Sequence, residues 1–284
     1  MEIINRRQRI ASITRKLRRE DKTVALVPTM GALHEGHFAL VRQAQQMSDA
    51  VVVSIFVNPE QFNEKADFER YPRDLTGDAA LLAAFDVDYI FAPDSGEIYP
   101  DDFSTYVYVE GISETLEGAS RPGHFRGVAT IVTILFNSIR PDFAFFGQKD
   151  AQQVALIRRM TRDLGFDTEI VVVPTVREES GLALSSRNSL LSNEEREKAS
   201  IIYRGLCEAK RAFKTGERNA SEIIEIVRSV IESEPLAQID YVAAVDNESL
   251  EPIEKIGDNE VLMAAAVRFG EVRLIDNAVL NRKQ

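Results

Sequence analysis

Along residues 23–175, short apolar and β-branched runs alternate with stretches in which apolar residues return every three or four positions. Residues 23–27 (Thr-Val-Ala-Leu-Val), closed by Pro28, read as a strand, as do 51–57 (VVVSIFV), 89–92, 143–146 and 170–173. Residues 75–85, 128–139 and 151–164 carry helical periodicity. Phe38, Leu40, Val41 and Ala44 form the inner face of another helix, opened by Gly36. Strands apolar on both faces and separated by helices imply a parallel sheet covered on both sides, an α/β doubly wound arrangement. In such a sheet ligands lie beyond the carboxyl ends of the strands. Four polar loops follow strands directly and are expected to converge there: 28–37, 58–62, 147–150 and 175–187.

After residue 187 the texture changes. Residues 193–214 read as one charged amphipathic helix, with Ser192 or Asn193 as N-cap and Glu194 and Glu195 in its first turn. Residues 220–233 read as a second helix, and 239–245, 261–267 and 271–275 as strands, the last two joined in a hairpin at Phe269-Gly270. This pattern predicts a smaller α+β domain at 176–284 beside a larger one at 1–175, with the boundary near 174–180, so that Leu184-Ser185-Ser186-Arg187 lies where the second domain begins and is placed to act as a lid hinge.

Composition narrows the function. The chain has 284 residues and a formal net charge of −11. That balance opposes a nucleic-acid or anionic-membrane surface, which rests on clustered Lys and Arg. No apolar stretch approaches a membrane span and the N-terminus does not read as a signal peptide. Cys207 is the sole cysteine, which excludes intramolecular disulfides and cysteine metal clusters and suits a reducing cytoplasmic setting. A packing role on a helix face is expected for it.

Two of the three histidines stand in Pro28-Thr29-Met30-Gly31-Ala32-Leu33-His34-Glu35-Gly36-His37, at a strand-to-helix junction. There the free N–H groups of a helix start and its positive dipole end meet two imidazole donors, a setting for an anion. Gly36 keeps the space between the histidines clear. A zinc reading fails, because metalloprotease pairs need i, i+4 spacing and a third ligand. Gly147-Gln148-Lys149-Asp150 places an ammonium at a strand end, and Leu184-Ser185-Ser186-Arg187 adds hydroxyls and a guanidinium. Each of these is by itself an ordinary loop; together they indicate an adenylate-forming site.

The segments PTMGALHEGH (28–37), FVNPEQF (56–62), YPRD (71–74), RPGHFRGVAT (121–130), FFGQKDAQQ (145–153) and LALSSRN (182–188) resemble, in order, those of the pantothenate synthetase (pantoate–beta-alanine ligase) family. That family lies in the nucleotidyltransferase superfamily with HIGH and KMSKS motifs. The resemblance implies a Rossmann-type N-terminal domain, a C-terminal lid and a homodimer. It implies ATP-dependent condensation of (R)-pantoate with β-alanine, in which the pantoate carboxylate attacks the α-phosphate to give pantoyl adenylate and pyrophosphate. The β-alanine amine then displaces AMP. The substrate carboxylate is the nucleophile, so no protein nucleophile is required, and alignment and charge neutralisation carry the catalysis.

Carried over by position, the resemblance implies that Met30, Gly31, Ala32, Leu33, His34, Glu35, Gly36 and His37 line ATP, with His37 a proton donor and His34 its partner on the phosphates. Gly147, Gln148, Lys149 and Asp150 hold ribose and phosphate, and Lys149 offsets the developing charge. Val176 meets adenine through its backbone. Leu184, Ser185, Ser186 and Arg187 close over the triphosphate. Gln61 and Gln153 bind pantoate, Gln61 also meets β-alanine, and Asn58 is a further substrate contact. Pro28, Met30, Phe145 and Phe146 either pack on the pantoate methyls or belong to the core. Asp78 is either linked to the Mg²⁺ that ATP brings or a helix-surface carboxylate, and no other protein ligand is indicated. His124 either gates a substrate channel or caps the helix after it. Two departures stand out: the second signature has only Arg187 where a lysine is usual, and Leu184 where methionine is common. Adenylyltransferases share the first motif, but the two glutamines favour a hydroxy-acid pocket; an aminoacyl-tRNA synthetase is opposed by the charge. A silent ATP sensor would keep the loops, yet no required residue is missing.

Overall fold

The computed structural model describes residues 1–63 and 65–281 and divides them into two compact units. Unit 1 holds Met1–Gly147 and Gln152–Val173; unit 2 holds Gln148–Ala151 and Pro174–Gln284. The strands of unit 1 are β1 (Glu2–Ile4), β2 (Val24–Thr29), β3 (Ala50–Ile55), β4 (Tyr89–Phe91), β5 (Phe143–Gly147) and β6 (Glu169–Val173), in one parallel six-stranded sheet of order β1-β4-β3-β2-β5-β6. Between them run α1 (Arg7–Arg19), α2 (Glu35–Met47), α3 (Lys65–Arg70), α4 (Leu75–Ala83), α5 (Ser95–Ile98), α6 (Glu117–Ser120), α7 (His124–Ile139) and α8 (Ala151–Asp163). From β2 the chain winds one way to β3 and β4, then returns past β2 to β5 and β6. The order reverses between β2 and β5, and this is where a doubly wound sheet opens a crevice at its carboxyl edge.

Pro28 does not close the first strand: it pairs with Ser54 inside β2. The carbonyls of Val24 and Thr29 accept from Asp142 on the β5 side and from Phe56 on the β3 side respectively, so by alternation the Pro28 nitrogen faces β5. The β2–β5 register ends at Leu26, so no ladder bond is lost. Sequence periodicity also left out β1 and α1. Only Ile10 and Thr14 of α1 are buried, and its start is capped from afar, the Arg7 N–H donating to Glu97 at 2.8 Å.

Unit 2 contains α9 (Asn193–Lys198), α10 (Ile201–Lys214), α11 (Ala220–Glu232), β7 (Ala237–Asp246), β8 (Val261–Phe269) and β9 (Val272–Leu280), the strands forming an antiparallel sheet β7-β8-β9. The expected single helix over 193–214 breaks at Ala199-Ser200, where Ala199, Ile201 and Ile202 all enter the core with Leu206, Ile223 and Val267. Burial, not a glycine or proline, bends the chain there. Ser192 is the N-cap and forms a reciprocal capping box with Glu195. The hairpin between β8 and β9 turns at Gly270, with φ +55°.

Candidate active site

In unit 1 the loop leaving β2 runs straight into α2, which begins at Glu35 rather than Gly36, with His34 as its N-cap. His34 Nδ1 accepts the Gly36 N–H at 3.1 Å, and His37 Nδ1 accepts the His34 N–H at 3.2 Å. Both Nδ1 atoms are acceptors, so each neutral ring carries its proton on Nε2. The ring centroids are 4.2 Å apart. The structure gives Gly36 a different reason from open space for a ligand: a Cβ there would lie 2.8 Å from His34 Cε1 and push the ring off the helix end.

The turn before the histidines is held from α4. Asp78 accepts from the Ala32 N–H at 3.0 Å through one oxygen and from Leu33 at 2.9 Å through the other. Asp78 is 5% exposed, which rules out a helix-surface carboxylate. Gly31 and Ala32 adopt left-handed φ of +84° and +52°, and a Cβ on Gly31 would lie 2.8 Å from the Asp78 carboxylate. Glu35, exposed in the first turn of α2, pairs with Arg42.

After β3, Asn58 caps a 3-10 turn that carries Gln61. Asn58 Nδ2 donates to Gln61 Oε1 at 3.1 Å and to the Gly127 carbonyl at 3.0 Å. Its Oδ1 accepts from Tyr99 at 2.8 Å and from the Glu60 N–H at 3.3 Å. Every hydrogen-bonding position of this amide is used within the chain and Asn58 is 1% exposed, so it orients Gln61. Burial pushes the Tyr99 hydroxyl far above its ordinary pKa and keeps it a donor. Gln61 Nε2 lies 2.7 Å from Met30 Sδ, which leaves one N–H and one lone pair on its amide. His124, in the first turn of α7 behind Gly123, is buried with Nδ1 2.8 Å from the Gln61 carbonyl, and Arg121 reaches the same oxygen at 3.4 Å. His124 therefore holds the backbone of the glutamine turn rather than capping the helix. The carbonyl fixes the ring proton on Nδ1. A Cβ on Gly127 would collide with the Glu60 carbonyl, so only glycine lets α7 approach this turn.

Phe145 and Phe146 are 0% and 3% exposed and belong to the core rather than to a substrate surface, while Pro28 and Met30 are half-buried. Gln153 is half-buried on α8. Its neighbour Gln152, to which the sequence assigned nothing, is buried and ties α8 to the Ile112 and Thr115 carbonyls and the Glu117 N–H.

In unit 2, Gln148–Asp150 forms one 3-10 turn, with Lys149 Nζ 3.6 Å from Asp150. The Val176 carbonyl accepts from the Leu184 N–H at 2.9 Å, closing a loop in which Arg177 and Ala183 also pair. Ser185 caps the short turn Ser186–Leu190 by accepting the Arg187 N–H at 3.3 Å, and Arg187 is exposed. Asn188 is 4% exposed and pins the loop through Glu178 and the Ala183 carbonyl, a role its place in the motif did not disclose. Among the described residues no group of three or more His, Cys, Asp or Glu is placed to hold a metal ion, and no helix is long and apolar enough to cross a membrane.

Residues 2–279 match the family described as Pantoate-beta-alanine ligase. The chain is 50% identical over 282 residues to the pantothenate synthetase of Pelotomaculum thermopropionicum, covering 99% of this chain and 100% of that one. The crystal structure of pantothenate synthetase from Thermus thermophilus has a TM-score of 0.89 at 46% identity, over 98% of this chain and 99% of that one. The pantoate-beta-alanine ligase from Francisella tularensis, complexed with beta-gamma ATP and beta-alanine, gives 0.79 at 37% identity, over 98% and 97%. With a family match across nearly its whole length and relatives at half identity, this chain belongs to the pantoate–beta-alanine ligase family.

Proposed function

We propose that the protein makes pantothenate from (R)-pantoate and β-alanine through a pantoyl adenylate, with ATP as the activating substrate. The pantoate carboxylate oxygen attacks the α-phosphorus while the bond to pyrophosphate breaks. The β-alanine amine then forms the amide bond, loses a proton and expels AMP. The observation that carries this reading is the pair of imidazoles whose Nδ1 atoms are occupied by backbone N–H groups. In this reading the Nε2–H groups are the donors that meet the phosphates, where charge develops in the displacement. From unit 2, Lys149 supplies a mobile positive charge for ATP in this reading, and Ser185, Ser186 and Arg187 supply further donors. Gln61, with one N–H and one lone pair left on an amide anchored by Asn58, offers pantoate both a donor and an acceptor. Gln153 is its partner in this reading.

Mg²⁺ enters on the ATP. Its ligands in this reading are phosphate oxygens and water, while Asp78 spends one lone pair of each oxygen on the Ala32 and Leu33 N–H groups and so serves first to hold the turn. The working form in this reading is a cytoplasmic homodimer, whose mass sedimentation velocity would read directly.

The deciding experiment is exchange of pyrophosphate into ATP with a panel of carboxylic acids, followed by β-alanine-dependent AMP release. Exchange with pantoate is the expected result; exchange with amino acids and not with pantoate would overturn the reading. Lys149→Ala should lower the single-turnover adenylation rate by ~10²-fold or more with folding kept, the size found for removal of one transition-state donor. A near-normal rate would remove Lys149 from the chemistry.

A further inference from the structure

Lys149 stands in a 3-10 turn of three residues between the end of β5 at Gly147 and the start of α8 at Ala151. One buried side chain of β9 clamps that turn from across the fold of unit 2. Asn277 Nδ2 donates to the Gln148 carbonyl and to the Lys149 carbonyl, both at 2.9 Å, and Gln148 Nε2 donates back to Asn277 Oδ1 at 3.0 Å. Asn277 is 6% exposed. Both of its N–H groups are spent on the two carbonyls that flank the Lys149 peptide, so the direction in which Lys149 leaves the backbone is set there.

The preceding residue extends the arrangement. Asp276, 4% exposed, accepts the Asn277 N–H at 2.8 Å and takes both arms of the Arg177 guanidinium, at 2.5 and 2.9 Å. Arg177 also donates to the Gly181 carbonyl at 3.0 Å and lies 3.9 Å over the Tyr203 ring. Arg177 and Gly181 belong to the loop that leads into Ser185–Arg187. Two successive polar residues of one strand thus hold both of unit 2's phosphate-directed segments, in a stretch where an ordinary sheet would bury apolar side chains.

We propose that Asn277 is a positioning residue for adenylation: without touching substrate, it aims Lys149 by clamping the Gln148 and Lys149 carbonyls, while Asp276 keys the clamp to the Arg177 loop. This rests on the role assigned to Lys149. A charge that acts only when aligned loses its effect on the rate when displaced by about an ångström, a displacement that can cost on the order of 10²-fold.

The test is a double-mutant cycle on the full-length enzyme, read as the single-turnover rate of pantoate- and ATP-dependent adenylation, with pantoate affinity by calorimetry and thermal unfolding alongside. Asn277→Ala is expected to lower the rate by roughly tenfold or more while pantoate affinity stays within twofold. In a Lys149→Ala background the same substitution is expected to change the rate by less than about twofold, since it then has nothing left to aim. Asn277→Asp, of the same size but without the two N–H donors, repeats the test should the alanine variant fail to fold. An undiminished rate in the 277 variants, or the same loss with and without Lys149, would overturn the proposal and leave the Lys149 reading intact. A normal rate in Lys149→Ala alone would overturn that reading first.

Discussion

Two glycines, one at the start of α2 and one at the end of β5, do opposite things for the fold, and the difference separates binding from stability. Gly36 is demanded by the protein itself, because a Cβ would lie 2.8 Å from His34 Cε1 and displace the ring that caps α2. Gly36→Ala should therefore cost about 1 kcal/mol of stability, the worth of an N-cap, and lower the adenylation rate because His34 no longer presents Nε2. Urea unfolding and single-turnover kinetics on one sample check both halves, and a rate loss without a stability loss would sink the cap account. Gly147 is demanded by nothing in the chain. No atom lies within 4 Å of a Cβ built there, and its φ is not positive. Gly147→Ala should leave unfolding within about 0.5 kcal/mol of the parent, as expected for a substitution that meets nothing, yet raise KM for ATP several-fold because phosphate or ribose needs close approach to that backbone. An unchanged KM would mean that glycine is dispensable to ATP as well.

At the scale of elements, the glutamine turn shows how a motif can be legible while its reason is not. RPGHFRGVAT was readable as a signature, but only the structure shows that Gly127 is where α7 touches the turn carrying Gln61, and that His124 and Asn58 hold that turn from two sides. Gly127→Ala should push the turn outward, destabilise the fold by about 1–3 kcal/mol through overpacking and weaken pantoate binding more than ATP binding. Calorimetric titration of each substrate would show it, and equal weakening of both would count against a local effect. Strands of unit 1 were legible because continuous Val and Ile runs leave little alternative. Short β1 and the largely exposed helix α1 were not, since α1 takes its cap from Glu97, ninety residues on. Likewise, β9 runs past Ile275 through Asp276 and Asn277, two buried polar residues that break the apolar pattern. Local rules fail there because those side chains serve the Lys149 turn and the Arg177 loop rather than the core.

At the scale of the whole molecule, the charge runs against the substrates: the chain carries −11, and ATP and pantoate are anions. An enzyme that gathered them by long-range attraction would need a basic face, and its kcat/KM would fall steeply as salt screened that field. In the proposed function attraction depends instead on groups that act at contact: two imidazole N–H donors, Lys149, the Ser185–Arg187 segment and the start of α2. Interactions at about 3 Å lie inside the Debye length of about 10 Å at 0.1 M salt, so they are little screened, whereas repulsion from the distant carboxylates is screened first. Raising ionic strength from about 0.01 to 0.1 M with a bulky, weakly binding anion should therefore leave kcat/KM for pantoate unchanged or raise it modestly. Measured at fixed free Mg²⁺ and saturating ATP, a fall of tenfold or more over that range would show that a basic funnel, and not the contact donors, draws pantoate in.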